Sequence, residues 1–260
     1  MPAPSNPLKA ALAAGQVQTG CWLALSSPAA AEIAATAGFD WCLIDGEHGP
    51  NLLPEMLTQL RALAAGAAHP IVRVPAGEAW MLKQVLDLGV QTVLVPMVDT
   101  GEQARELARA VRYPPQGIRG LGSALARASG YNAIADYVHT ANDEVCLILQ
   151  AESRRAIENI DAIAGTEGVD CVFIGPADLA ADMGHIGNAS APEVVEAIDH
   201  AIARIRAAGK AAGILAFDPA VAARHLRNGV QFIGVTSDVT ALAQSLRGVA
   251  AAARAAAQGG

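Results

Sequence analysis

Just past several apolar runs of this 260-residue chain stand polar side chains that together could hold a cation, bind an oxyanion and move a proton. One run leads into Asp45-Gly46-Glu47-His48-Gly49 and another carries Arg73. A third ends in Gln150-Ala151-Glu152, and a fourth continues into Gly175-Pro176-Ala177-Asp178. Ionised groups beside apolar sequence need partners to stay charged, and these can serve one another or a metal. Glu152 and Asp178 have neither a thiolate nor a histidine pair nearby. They suit a hard divalent cation such as Mg²⁺ or Mn²⁺, which keeps positions open for substrate oxygens. The spacing leaves a second arrangement open, in which Glu152 pairs with Arg73 and Asp178 caps the helix over 179–183. His48 stands where Asp45 could orient its imidazole for general-base work, the plain alternative being a solvated loop histidine. Arg73 can grip a carboxylate with two N–H groups or stabilise an enolate or alkoxide oxygen.

Other chemistries lose support. Imine catalysis needs a lysine pointing into the site, yet the lysines are Lys9, Lys83 and Lys210: ahead of the first strand, in mid-helix, and just before the seventh strand. The last two strands lead into Ala216-Phe217-Asp218 and Ser237-Asp238-Val239, which are poor phosphate loops, and a GxGxxG dinucleotide fingerprint is missing. Cys21, Cys42, Cys146 and Cys171 form no CxxC and fall in apolar runs, so they read as small buried hydrophobes. His69, His139, His185, His200 and His225 lie on helices, turns or outer loops and read as structural or solvated.

The elements that must position these groups alternate. Short apolar runs at 20–25, 41–45, 71–74, 92–96, 145–151, 171–175, 212–215 and 232–236 read as strands buried on both faces, hence parallel. Helical spacing separates them. Ser153 can cap a helix over 153–164, Asp218-Pro219 starts another, and Gly38, Gly89, Gly209 and Gly229 each end one before the next strand. The pattern predicts a (β/α)₈ TIM barrel with a C-terminal helical extension, spanning 1–260 as one domain; an open doubly wound sheet is the alternative. Functional groups then belong at the C-terminal ends of the strands. One segment, 113–144, breaks the rhythm with Pro114-Pro115, Gly117, Gly120, Gly122 and Gly130, and reads as a functional or interface insertion. An Ala-rich tail after Leu246 reads as a final helix fraying at 258–260.

Composition sets the outer bounds. With 52% hydrophobic residues, one large core is available; with 4% aromatics, Ala, Val, Ile and Leu are expected to fill the interior. Mean hydropathy is +0.30, yet no apolar stretch approaches the roughly 20 residues of a membrane span. The opening residues lack a secretory pattern, so a soluble, cytoplasmic protein is expected. A net charge of −7 without a Lys/Arg cluster speaks against nucleic acid as a partner.

The segments 41–51 (WCLIDGEHGPN), 71–75 (IVRVP), 86–103 (LDLGVQTVLVPMVDTGEQ), 113–129 (YPPQGIRGLGSALARAS) and 168–184 (GVDCVFIGPADLAADMG) resemble, in order, the HpcH/HpaI family of class II pyruvate aldolases. The resemblance implies reversible cleavage of 4-hydroxy-2-oxo acids to pyruvate and an aldehyde, by way of a metal-stabilised pyruvate enolate. By similarity, Glu152 and Asp178 bind Mg²⁺, Mn²⁺ or Co²⁺, and Arg73 and Gln150 contact the keto acid. Gly175, Pro176 and Ala177 hold its carboxylate, and His48 with Asp45 transfers protons. Trp22, Leu215, Arg127 and Asp87 match further substrate-site positions. The family pattern also implies a hexamer, a trimer of dimers with exchanged C-terminal helices. Ala151, in place of a larger aliphatic residue, and Thr236, in place of Gly, alter the pocket without removing a catalytic group. The rival readings are a lyase of citryl or malyl thioesters, for which no basic tract serves coenzyme A, and a non-catalytic metal- or keto-acid-binding barrel.

Overall fold

The computed structural model describes residues 1–258. Eight parallel strands close into a barrel in chain order: β1 (Gln18–Leu23), β2 (Trp41–Asp45), β3 (His69–Arg73), β4 (Thr92–Val95), β5 (Cys146–Ala151), β6 (Cys171–Ile174), β7 (Ala211–Leu215) and β8 (Phe232–Ser237). Pairing of β8 with β1 completes the ring and excludes the open sheet. Helix α1 (Pro7–Ala13) precedes the barrel. After β1 to β4 come α2 (Pro28–Ala35), α3 (Leu53–Leu63), α4 (Ala79–Asp87) and α5 (Gly101–Ala110). The helix α6 (Tyr137–Glu144) ends the 113–144 insertion. Behind β5 lie α7 (Arg154–Glu158) and α8 (Ile160–Ala164), and behind β6 lie α9 (Pro176–Asp182) and α10 (Pro192–Ala207). The chain finishes with α11 (Pro219–Arg227) after β7 and α12 (Asp238–Gln258) after β8.

Local chemistry accounts for these boundaries. The Ser153 hydroxyl accepts the Ala156 N–H at 3.0 Å, and Asp218 accepts from Ala220 and Val221, which satisfies amides that a helix start leaves free. The single helix expected over 153–164 is two. At Asn159 the backbone leaves the helical range (φ −100, ψ 11), and the side-chain amide donates to the carbonyls of Asp99 and Arg155. Gly38, Gly89, Gly209 and Gly229 end their helices with φ between +74 and +97, as the sequence predicts.

Two apolar layers result. Outward-facing strand residues pack with the helices in a largely aliphatic shell. The barrel interior departs from expectation, because the scarce aromatics concentrate there. Trp41 stacks on Phe232 at 4.2 Å, and Trp22 meets Trp41 edge-on at 5.3 Å and Phe173 at 5.6 Å. Gly20 is obligatory in this arrangement, since a Cβ there would lie 2.0 Å from the Trp41 ring. Leu8 and Leu12 of α1 join the same cluster. This packed floor leaves the C-terminal strand ends as the place for polar groups.

The insertion joins the end of α5 to the start of β5, so it lies at the opposite, N-terminal end of the barrel. Two short 3₁₀ turns, Ser123–Leu125 and Arg127–Ser129, precede its helix. The final helix starts at Asp238 rather than past Leu246; the expected fraying at Gly259 and Gly260 lies outside the described residues. None of its residues is buried, and Leu242, Leu246 and Val249 form an exposed stripe at helical spacing. Among the described residues no helix is long and apolar enough to cross a membrane.

Candidate active site

The C-terminal ends of β2, β3, β5 and β6 bring most of the expected side chains together. Arg73, at the end of β3, is held in a fork by Asp45 of β2, with Nε 2.8 Å from Oδ1 and Nη2 2.7 Å from Oδ2. Its remaining terminal nitrogen, Nη1, lies 2.7 Å from Oε2 of Glu47. The ion pairs are shielded, the Arg73 and Asp45 side chains being 9% and 4% exposed. Removing one member would strand a buried charge at a cost of about 3–5 kcal/mol, so this triad is a fixed part of the rim. Asp45 Oδ1 also accepts the backbone N–H groups of Glu47 and His48, which shapes the turn. Behind it, Asn51 donates to the Asp45 carbonyl and accepts from Gln59.

This corrects two expectations. Arg73 does not pair with Glu152: three of its N–H groups are turned to Asp45 and Glu47 instead. Nor does Asp45 orient the His48 imidazole: its oxygens are taken by the guanidinium and the turn amides, and it holds the His48 backbone instead. The His48 side chain is 68% exposed, and its nearest carboxylate is Glu47, with Nε2 3.9 Å from Oε1. Glu47, which the sequence reading did not single out, therefore links the arginine to the histidine.

Glu152 lies buried just beyond β5. Its Oε1 accepts the Met97 N–H at 2.8 Å and its Oε2 accepts a short bond from the Gln150 side chain, but among the described residues it has no cationic partner. Burial pushes its pKa up to about 7, the two hydrogen bonds oppose the rise, and the charges of Asp178 and Glu47 add to it. Glu47 is raised too, by burial first, with Arg73 and His48 opposing and Asp45 and Asp178 contributing. The charge of Asp178 thus acts on both Glu152 and Glu47. Asp178 stands in the first turn of α9, where no side chain caps the helix, so the capping role is not realised.

The other expected site residues fall into two groups. Gln150 is buried, with its Oε1 unpartnered. Gly175 and Pro176 open α9, and the Gly175 N–H is already engaged by the Ala151 carbonyl at 3.3 Å. That leaves the Ala177 and Asp178 amides without intrahelical acceptors, the Leu179 N–H donating to the Gly175 carbonyl at 3.0 Å. Trp22 lies 5.9 Å beneath the Arg73 guanidinium carbon, and both Trp22 and Leu215 close over Gly234, forming an apolar wall. Asp87 and Arg127 are not brought to this rim. Asp87 ends α4 at the opposite face and pairs with buried Arg119 at 2.6 Å, while Arg127 donates to the Leu88 carbonyl. The lysines are remote as well: Lys9 and Lys210 bind backbone carbonyls at the N-terminal end, and Lys83 lies on α4 beside Gly120.

A sequence model of the HpcH/HpaI aldolase/citrate lyase family matches residues 18–245. The chain belongs to this family. It is 57% identical over 251 residues to a hydroxypyruvate/pyruvate aldolase of Agrobacterium fabrum, covering 96% of this chain and 94% of the relative. It is 54% identical over 246 residues to a 4-hydroxy-2-oxo-heptane-1,7-dioate aldolase of Shigella sonnei, covering 95% and 94%. Among solved structures, an HpcH/HpaI aldolase/citrate lyase family protein of Burkholderia cenocepacia superposes with a TM-score of 0.93 at 40% identity, covering 96% of this chain and all of that one.

Membership in the HpcH/HpaI family supports a divalent cation as cofactor, and the rim fits one. The rim carries the carboxylates of Asp45, Glu47, Glu152 and Asp178, of which the Arg73 guanidinium engages Asp45 and Glu47. A Cβ at Gly175 would sit 2.4 Å from Glu152 Oε2, so glycine keeps space open against that carboxylate. Among the described residues no cluster of three or more His, Cys, Asp or Glu suited to a metal occurs; a cation held by Glu152 and Asp178 would take two carboxylates from the protein. That matches a hard ion retaining water or substrate oxygens.

Proposed function

We propose that this lyase reversibly cleaves 4-hydroxy-2-oxo acids into a 2-oxo acid and an aldehyde, with Glu152 and Asp178 as the ligands of Mg²⁺, Mn²⁺ or Co²⁺. The carrying observation is the buried Glu152 carboxylate, which among the described residues has no cationic partner and feels the charge of Asp178. The name of the Agrobacterium fabrum relative suggests pyruvate and hydroxypyruvate as the 2-oxo acid. The cation, when bound, polarises the 2-oxo group as a Lewis acid.

The chain's own residues supply the rest. A base takes the proton of the C4 hydroxyl, the C3–C4 bond breaks to release the aldehyde, and its electron pair forms an enolate whose oxygen carries the charge. Arg73, clamped by Asp45 and Glu47, keeps N–H donors for that oxygen, and being fixed beforehand it needs no reorganisation as charge develops. His48 is exposed at the mouth beside Glu47, and there it exchanges the protons that leave the hydroxyl and reach C3. Gln150 and the α9 amides around Ala177 hold the oxo-acid carboxylate, and Trp22 and Leu215 face the aldehyde carbons.

The working unit in this reading is the whole chain, 1–260, as one cytoplasmic barrel domain assembled into a homo-oligomer, a hexamer. The unburied α12 stripe supports exchange of that helix between copies. Asp87 and Arg127, remote from their own rim, would then serve a neighbouring copy. The test is an aldehyde panel with pyruvate or hydroxypyruvate, after chelation and on adding back Mg²⁺, Mn²⁺ or Co²⁺. Product formation restored by metal is expected; undiminished turnover in chelator would refute the metal mechanism.

A further inference from the structure

The chain leaves β4 through Pro96, Met97, Val98 and Asp99, and this short segment is tied to the strand that carries Glu152. The Met97 N–H donates to Glu152 Oε1 at 2.8 Å, and the Val98 N–H donates to the Gln150 carbonyl at 3.0 Å. The Asp99 carboxylate accepts the Ser153 hydroxyl at 2.5 Å, its carbonyl accepts the Asn159 amide at 3.0 Å, and its N–H goes to Gln103 at 2.8 Å. Every residue from 97 to 99 therefore holds β5 or the helix start behind it.

Met97 achieves this in a conformation that side chains disfavour, with φ at +57. In extended backbone, successive N–H groups point to opposite sides. The left-handed turn at Met97 instead sends two consecutive N–H groups to the same strand, one to the carboxylate and one to the carbonyl two residues before it. The Met97 side chain does not explain the conformation, since it is 58% exposed.

We propose that Met97 is a positioning residue, whose left-handed backbone aims its amide at Glu152 and so sets the carboxylate for the cation. The inference rests on reading Glu152 and Asp178 as the metal ligands. Each Glu152 oxygen accepts one hydrogen bond and keeps a further lone pair, so fixing the carboxylate plane fixes where those lone pairs point. The effect belongs to the backbone, which separates it from any contact the methionine side chain makes.

Mn²⁺ binding to the purified full chain at pH 8, followed by the electron paramagnetic resonance of free and bound ion, tests this with wild type, E152Q, M97G, M97N and M97V. Glycine and asparagine tolerate the left-handed region, so M97G and M97N are expected to bind within about threefold of wild type. Valine, branched at Cβ, resists it, and M97V is expected to bind on the order of tenfold more weakly, with an altered bound-Mn²⁺ spectrum. Equal weakening in M97G and M97V would overturn the proposal by assigning the effect to the side chain, and so would wild-type affinity in M97V. Should M97V fail to fold, M97N decides: near-wild-type binding supports the proposal and a tenfold loss ends it. Absence of Mn²⁺ binding in wild type would bring down the metal-site reading and this inference together. Binding lost in E152Q but untouched in M97V would overturn this inference alone.

Discussion

Replacing Glu152 with Gln should make the metal-free protein more stable while disabling it, and the size of the gain follows from the site. The Glu152 carboxyl titrates near 7 when folded, chiefly through burial, against an ordinary value of 4.5. A raised carboxylate pKa means the folded state holds its proton where the unfolded chain has released it. The stability is therefore complete below pH 4.5, is lost as pH rises, and the loss levels off above about 7. At roughly 1.4 kcal/mol per pH unit across that window, ionised Glu152 costs the folded state on the order of 3 kcal/mol at pH 8. Glutamine removes the charge and fits the same space. Its oxygen can accept the Met97 N–H, and a flipped Gln150 amide can turn its unpartnered oxygen toward the new amide. Thermal melts in excess chelator at fixed protein concentration should show E152Q and wild type coinciding near pH 4.5. By pH 8 the variant should melt on the order of 6–10 °C higher. Saturating Mn²⁺ should raise the wild type alone, and aldol turnover should be absent from the variant. A variant no more stable than wild type at pH 8, or a difference that does not change between pH 5 and 8, would refute the reasoning.

Two further outcomes follow from the same physics. Gly175→Ala places a methyl 2.4 Å from Glu152 Oε2 and 3.0 Å from its Cβ in a buried setting, so it should cost about 1–3 kcal/mol and reduce metal-dependent turnover by about a hundredfold or more; melting and steady-state kinetics check both. His69 is pushed down to about 4 by burial, with its Nε2 2.8 Å from the Thr92 hydroxyl, which also accepts from Asn6. Its folded pKa lies below 6.5, so the stability it protects is intact above that value and is lost as pH falls towards 4, by about 3 kcal/mol in all. That slope runs opposite to the Glu152 slope and partly hides it in the wild type. Melts of E152Q should expose it between pH 6.5 and 4.5, and adding His69→Gln should flatten it.

How much of this was legible in the sequence depends on whether a group acts through its side chain at a strand end or through its backbone. Asp45, Arg73, Gln150 and Glu152 were legible because a polar residue at the end of a doubly buried strand has few structural reasons to be there, whereas Asp178, in the first turn of α9, was singled out as a ligand by the resemblance. Glu47 was within reach as well. Asp45 and Glu47 are two residues apart where β2 runs out, and side chains at that spacing share a face, so one guanidinium meets both. Asp87 and Arg127 came from resemblance, and the elements already spoke against their own rim: a residue closing the helix between β3 and β4 must lie where β4 begins. The aromatic floor was hidden because composition counts aromatics without locating them, whereas Gly20 and Gly234, small residues in β1 and β8, marked where large rings had to fit. Met97 had no side-chain signal at all. An exposed methionine after Pro96 looks like any loop residue, and what it contributes is the direction of two N–H groups, set by a turn that ordinary propensity would not assign to it. A site built on a barrel rim thus has its acids, bases and ligands recorded in the strand ends. Their aim is recorded in the backbone of the intervening loops, where residue type carries little of the information.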